Sequence, residues 1–206
     1  MTGILKIINK PGLISWGIKE AAKLALADPS LTVEEIMAGV YGGRDTAGDI
    51  GTMLHHIAED KVSDRKVDLE KLTTVLVPYA TALVNYLEST KPKVLYTETT
   101  VFNVDHGYAG TLDLITEDHG GSIWMLDYKT GNRIYPEHGL QLSAYKNATH
   151  LKTKEGKIIP MPKIDKTGIV HLTKDASFSA IEVNEPFEVF LHAYEVYKWG
   201  KERNVI

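Results

Sequence analysis

The chain contains no cysteine in 206 residues. That single absence excludes disulfides, thiolate zinc sites, cysteine-ligated iron–sulfur clusters and a cysteine nucleophile. Any metal must therefore be held by oxygen or imidazole. Long apolar runs are missing too. Nothing approaches the ~20 consecutive apolar residues that a membrane-spanning helix needs, and the N-terminus lacks the charged-then-apolar pattern of a secretory leader. A cytoplasmic protein without membrane contact is the expectation. Nor is there an excess of positive charge. A formal net charge of −4 argues against a chain-wide electrostatic grip on a polyanion, while leaving room for a local basic groove or an acidic pocket filled by a metal. Internal repeats and low-complexity tracts are absent as well.

What is present is the balance of an ordinary globular chain, 43% hydrophobic and 24% charged, long enough for one sizeable core. The N-terminal part reads as helical. Asn9-Lys10-Pro11-Gly12 forms a turn into a helix over residues 13–26, with Ser15 as its N-cap and Asp28-Pro29 closing it. Thr32 and Glu35 fit a capping box for a short helix that Gly42-Gly43 should end, and a third helix is expected over residues 46–61. Within residues 68–90, Leu69, Leu72, Leu76, Tyr79, Leu83 and Leu87 recur at helical steps, with Pro78 predicting a kink or break. The period then changes. Residues 94–104, 108–116 and 122–128 are strand-like and separated by Asp105-His106-Gly107 and Asp118-His119-Gly120-Gly121, which predicts a three-stranded antiparallel meander. A helix over 140–151, a loop over 152–166, a strand over 168–173 and a closing helix over 187–199 complete the reading. This order implies an α/β domain with a central mixed sheet flanked by helices.

Two acidic residues stand near strand ends of that meander. Asp113 closes Gly110-Thr111-Leu112-Asp113 on the second strand, and Asp127 opens Asp127-Tyr128-Lys129 at the end of the third. Adjacent antiparallel strands bring both carboxylates to one edge of the sheet. There they form a hard, oxygen-rich site suited to Mg²⁺ or Mn²⁺, with room for water and a substrate phosphate. An ion so held activates water and neutralises charge on phosphate. Asp127 and Lys129 are two apart on a strand and face the same way, so an ammonium is available to orient the attacking water or stabilise a developing oxyanion. An isolated Asp-x-Lys is most often a surface ion pair. Its surroundings say more: Glu98 lies on the first strand, Gly51-Thr52-Met53-Leu54-His55 upstream, and Gln141-Leu142-Ser143-Ala144-Tyr145 downstream.

This ordered set, over about residues 51–145, resembles the RecB-like branch of the PD-(D/E)XK nuclease superfamily, with its restriction-endonuclease-like core. That branch includes bacterial recombination nucleases, CRISPR-associated adaptation nucleases and many phage exonucleases. The resemblance implies a metal-dependent deoxyribonuclease in which His55, Asp113, Asp127 and the main-chain carbonyl of Tyr128 bind one or two Mg²⁺ or Mn²⁺ ions. Asp113, Asp127, Lys129 and Glu98 would be catalytic, and Gln141 and Tyr145, one helical turn apart, would contact DNA or orient the site. Relatives that carry iron–sulfur cysteines are disfavoured as models for this chain. The expected division is a single nuclease domain over 1–206, with a helical part at 1–45, the nuclease core at 46–184 and a closing helix at 185–206. An exonuclease of phage or bacterial DNA recombination or repair is implied, acting on DNA ends or single strands in a bacterium or phage-infected cell. A recombination partner protein and a homo-oligomer are the candidate assemblies.

Several residues keep two readings. His55 and His56 point about 100° apart on a helix, and only the family spacing favours His55. Glu98 is either an acidic member of the site or a cross-strand surface charge. Arg44, a short loop ahead of the helix bearing His55, is a phosphate-binding fork or a solvated side chain. Trp16 and Lys19, with Lys10 before them, contact nucleic acid or serve the packing and solvation of their helix. Lys198, Lys201 and Arg203 complement a helix dipole or touch phosphate. Two rivals stand at the level of function. One is a catalytically silent DNA-binding or assembly subunit that keeps the nuclease fold, against which the intact Asp113, Asp127 and Lys129 count. The other is a metal-dependent hydrolase of a small molecule, with the acidic pocket but no DNA-wide groove.

Overall fold

The computed structural model of the protein describes residues 2–8, 11–63 and 65–205, with side chains at all of these except 2, 11–13 and 43–47. Asn9 and Lys10 of the expected N-terminal turn lie outside the described residues.

Strand-forming residues between positions 93 and 129 build the centre of a seven-stranded mixed sheet. β1 (Lys93–Asn103), β2 (Tyr108–Glu117) and β3 (Ile123–Lys129) form the expected antiparallel meander. Gly107 and Gly121, at φ 75° and 82°, supply the left-handed residues that its two turns require. β4 (His150–Lys152) and β5 (Ile158–Pro160) extend the sheet beyond β1, β6 (Lys166–Leu172) joins β3 in parallel, and β7 (Phe178–Glu182) forms the far edge. The strand order is β5-β4-β1-β2-β3-β6-β7. Because β3 and β6 run parallel, the chain between them must cross over, and it does so through a helix.

The helices are α1 (Thr2–Leu5), α2 (Pro11–Ala27), α3 (Val33–Val62), α4 (Val77–Thr90), α5 (Pro136–Lys146) and α6 (Phe187–Glu202). α3 and α4 cover one face of the sheet, where Leu54, Ile57, Ala58, Leu83 and Leu87 pack with Leu114, Leu126, Tyr128 and Val170. α5 covers the other, setting Leu142 and Tyr145 against Leu112, Ile115, Met125 and Ile169. Its outer side, Leu140 and Ala144, receives Phe190 of α6 together with Ile4 and Leu5 of α1. Each fully buried leucine among these contributes about 1.5–3 kcal/mol. The central strands β2 and β3, which bear the acidic residues, are thus held from both faces.

Several helical expectations are corrected. α3 is one helix of 30 residues rather than two separated at Gly42-Gly43. Its capping box is as expected, with the Glu35 N–H donating to Thr32 Oγ1 at 3.2 Å and the Thr32 N–H donating to Glu35 Oε2 at 2.8 Å. A helix-interior glycine costs about 1 kcal/mol, which hydrogen bonding on either side and packing of α2 against this stretch offset. Ser15 lies inside α2, which starts at Pro11, a residue whose fixed φ and missing N–H suit the first helical turn. At Pro78 the break alternative holds rather than the kink: α4 starts at Val77 with Pro78 in its first turn, and the apolar residues before it form a short 3₁₀ turn at Leu69–Lys71. α5 ends at Lys146, and His150 and Leu151, expected as helix, pair with β1 together with Lys152, expected as loop. β5 lies within the stretch read as a loop. No helix among the described residues is long and apolar enough to cross a membrane.

Candidate active site

Pairing between β2 and β3 begins at Leu114 opposite Leu126. Asp113 and Asp127 are the next residues on each strand, facing one another just beyond the last pair. A side chain takes the place of a ladder bond here, since the Tyr128 N–H donates to Asp113 Oδ2 at 2.7 Å. From above, α3 brings His55, whose Nδ1 lies 2.6 Å from Glu98 Oε1 and 3.6 Å from Asp113 Oδ1. On the far side, the Lys129 ammonium is 2.5 Å from Asp127 Oδ2 and 3.4 Å from Gln141 Oε1. Gln141 Nε2 in turn donates to the Tyr145 hydroxyl at 3.0 Å. These side chains share one cleft of about 470 Å³.

Glu98 reaches this cleft from a strained backbone. Thr97 and Thr99 pair with Leu114 and Leu112, which sets Glu98 opposite Asp113, and a register shift between Val94 and Tyr96 precedes it. Its φ of 48° is left-handed. Such a conformation in a non-glycine residue costs of order 1–3 kcal/mol and persists where the surroundings over-determine it.

The electrostatics follow from burial. Asp113 and Asp127 are 6% and 2% exposed. Burial first, and then the Asp127 carboxylate, push Asp113 up to about 8, against the pull of His55, Lys129 and the Tyr128 N–H. Burial raises Asp127 as well, although Lys129 draws it back. Burial alone would lower His55, but its hydrogen bond to Glu98 and the nearby Asp113 outweigh that and raise it. Tyr145 is pushed up to about 12 by burial and stays a neutral hydroxyl.

This donor set suits a divalent cation. His55, Glu98 and Asp113 each offer a ligand atom, all within 4.8 Å of one another. Asp127 Oδ2 is buried with the Lys129 ammonium as its close partner, which leaves the carboxylate free lone pairs to offer a cation. Carboxylate oxygens with one imidazole match the preferences of hard to borderline ions.

Of the residues expected from sequence, His55, Glu98, Asp113, Asp127, Lys129, Gln141 and Tyr145 all line the cleft. The Tyr128 side chain turns away from it into the core beneath α3, its ring edge-on to His55 at 6.2 Å. Trp16 is half-buried and Lys19 exposed on α2, and neither is in the cleft lining. Arg44 lies within α3 rather than on a loop, and its side chain is outside the described residues. The cations of Lys198, Lys201 and Arg203 lie over the rings of Tyr194, Tyr197 and Trp199 at the end of α6. The lining also includes Thr52, His56, Gly110 and Thr111. Thr52, not named as a site residue from sequence, stands about one helical turn before His55, a spacing that would have found it. Thr111, likewise not named, is two before Asp113, so strand alternation would have found it.

No curated protein matches the chain. Among solved structures, that of SSO0001 is similar at 18% identity, covering 93% of this chain and 72% of that one, with a TM-score of 0.39. The sequence profile of one family matches residues 35–168, more than half of the chain and the whole stretch that carries the cleft, and by that match the chain belongs to the PD-(D/E)XK nuclease superfamily.

Proposed function

We propose that the protein is a DNA exonuclease of the RecB-like branch, dependent on Mg²⁺ or Mn²⁺ and working on DNA ends or single strands in phage or bacterial recombination or repair. The single observation that carries this reading is the convergence of His55 from α3, Glu98 from β1, Asp113 from β2, and Asp127 and Lys129 from β3 in one cleft. His55, Asp113, Asp127 and the Tyr128 carbonyl are the residues to hold one or two ions. A bound ion supplies Lewis-acid neutralisation of charge on the scissile phosphate. Lys129 orients the attacking water and stabilises negative charge as it develops on the phosphoryl oxygens. Glu98 holds the His55 ring through its Nδ1. Gln141, tied to Tyr145, steadies the Lys129 ammonium and faces the DNA. Water oxygen bonds to phosphorus, the bridging oxygen leaves and takes a proton, and no covalent enzyme intermediate forms. A single nuclease domain is sufficient for this chemistry, with a homo-oligomer or a recombination protein as the expected assembly.

A silent subunit has no physical need for two facing, buried carboxylates, which destabilise a fold unless a cation offsets them. End-labelled linear and sealed circular DNA, single- and double-stranded, should be incubated with Mg²⁺, Mn²⁺ or EDTA, beside Asp127→Ala. Metal-dependent loss of linear DNA alone, absent in the variant, is the expected result. Cleavage of circles would make the enzyme an endonuclease, and no cutting of any substrate would favour the silent subunit.

A further inference from the structure

Lys129 ends β3 at the cleft wall and Gln141 stands on α5, so the loop between these elements, residues 130–135, starts at the cleft and leads into a helix that forms part of it. At the root of this loop, His171 of β6, in register with Lys129 on the neighbouring strand, lies with Nε2 2.5 Å from the Gly131 carbonyl oxygen. The bond needs a proton on Nε2, which the neutral Nε2–H tautomer and the imidazolium both provide. Further along, the Arg133 guanidinium sits 4.6 Å from the centroid of the Tyr135 ring. That ring is in turn edge-on to His138 at 5.6 Å, and the Tyr135 N–H donates to His138 Nδ1 at 3.3 Å.

Arg133 differs from the other arginines described with side chains. Arg65 is 2.6 Å from Asp60 and Arg203 is 3.7 Å from Glu202, whereas exposed Arg133 has no carboxylate at ion-pair distance among the described residues. A guanidinium stacked on a ring still directs its in-plane N–H donors outward, in the fork geometry that fits phosphate. The electrostatic setting calls for such a group. Within the cleft, Lys129 and the ions of the proposed function meet the scissile phosphate beside Glu98, Asp113 and Asp127, but the chain carries a net charge of −4 and offers the rest of a polyanionic strand no general attraction. Cations beside the cleft must then position the strand.

We propose that Arg133, stacked on Tyr135, binds a backbone phosphate of the substrate strand beside the scissile bond, and that His171 is a positioning residue that holds this loop through Gly131. The proposal rests on the nuclease reading above. Arg133 is four residues past Lys129, at most about 14 Å of chain, so the phosphate it takes is within a few nucleotides of the cut. The contact carries no base information and should act alike on all sequences.

The test compares wild type with Arg133→Ala, Arg133→Lys, His171→Ala and His171→Gln. It uses steady-state cleavage and anisotropy of a fluorescein-labelled single-stranded oligonucleotide in EDTA across a salt series. Arg133→Ala is expected to raise KM and weaken binding about tenfold, with kcat little changed, and to lower the salt slope by about one phosphate contact. Lysine should recover part of the loss. His171→Ala should raise KM by a smaller factor, with glutamine, which can donate to the same carbonyl, restoring it. Arg133 is exposed, so its variants should melt with wild type. An unchanged KM and salt slope in Arg133→Ala, with wild type cutting, would overturn this proposal alone, as would a loss confined to kcat. A wild type that cuts nothing would overturn the nuclease reading and this proposal with it.

Discussion

α3 is one helix in two environments. Over residues 33–50 no described side chain is buried, Val33 is 70% exposed, and the neighbour is α2, which likewise buries none of its described side chains. A turn later Leu54, Ile57 and Ala58 enter the core against the sheet, and His55 between them enters the cleft. Hydrogen bonding and a capping box suffice to build the first part. Fixing His55 to within a hydrogen-bond length of Glu98 takes the packing of the second. Helical regularity and anchorage are separate properties, and the proposed chemistry uses only the anchored end.

The largest expected effect lies in the cleft that the anchored end enters. Lys129→Ala should lower cleavage by at least about 10²–10³-fold while leaving metal binding, read by calorimetry, largely intact. Asp113→Ala should weaken both. Full activity in either variant would remove the catalytic meaning of the cleft, and with it the functional side of the contrast. Next in size is a paired packing experiment. Leu54→Ala deletes a side chain that is 1% exposed, and should cost about 2–5 kcal/mol in urea unfolding. Met37→Ala, at a site 41% exposed, should stay within about 0.5 kcal/mol. Equal losses would show that the two parts of α3 are not different in kind.

A pH experiment sharpens the contrast from the side of charge. Asp113 is raised from an ordinary 3.8 to about 8, so between those values the folded state binds the proton that the unfolded state has lost. Stability from this group therefore grows as pH falls from about 8 toward 4. His55, raised by Glu98, acts in the same sense: its contribution is present below the unfolded value and lost as pH rises through the folded one. In EDTA the melting temperature of wild type should rise relative to Asp113→Asn as the buffer moves from about pH 8.5 to pH 5.5. Saturating Mn²⁺ should flatten or reverse that difference. A parallel pair of melting curves in EDTA would refute the account of a compressed acidic pair.

The legible parts of the site were those in which one local period does the positioning. Asp127 and Lys129 share a face by strand alternation, Gln141 and Tyr145 by one helical turn, and the meander announced itself by the change from helical spacing to strands ahead of β1. Features that depend on non-local contacts were not legible. The left-handed φ of Glu98 and the opening of β2 from β3 at Asp113 arise where three elements meet. β4, β5 and β7 have only three to five residues each, too few to show alternation, and exist because neighbouring strands present an edge. His171 reaches Gly131 across 40 residues of sequence. The continuity of α3 was misread for an energetic reason: a glycine pair weakens a helix by about 1 kcal/mol per residue, less than what the ladder on both sides and α2 supply together.

That last point yields the smallest effect and tests the contrast most directly. A Cβ added at Gly42 or Gly48 would meet nothing within 4 Å, so alanine there removes the backbone-entropy cost of glycine without a clash. Each substitution should favour the helix by about 0.5–1 kcal/mol. Because the region 33–50 buries no described side chain, its opening is expected to be local rather than part of global unfolding. Gly42→Ala should then slow amide exchange within residues 33–50 and leave the exchange of Leu54, Ile57 and the cleavage rate unchanged. Gly39→Ala marks the limit of this rule, since its Cβ would come 2.9 Å from Leu24 Cδ1 and α2 would have to shift its side chain. If Gly42→Ala instead raised the global melting temperature by the full gain, the two parts of α3 would unfold as one unit. The anchored end would then owe some of its rigidity to the exposed one.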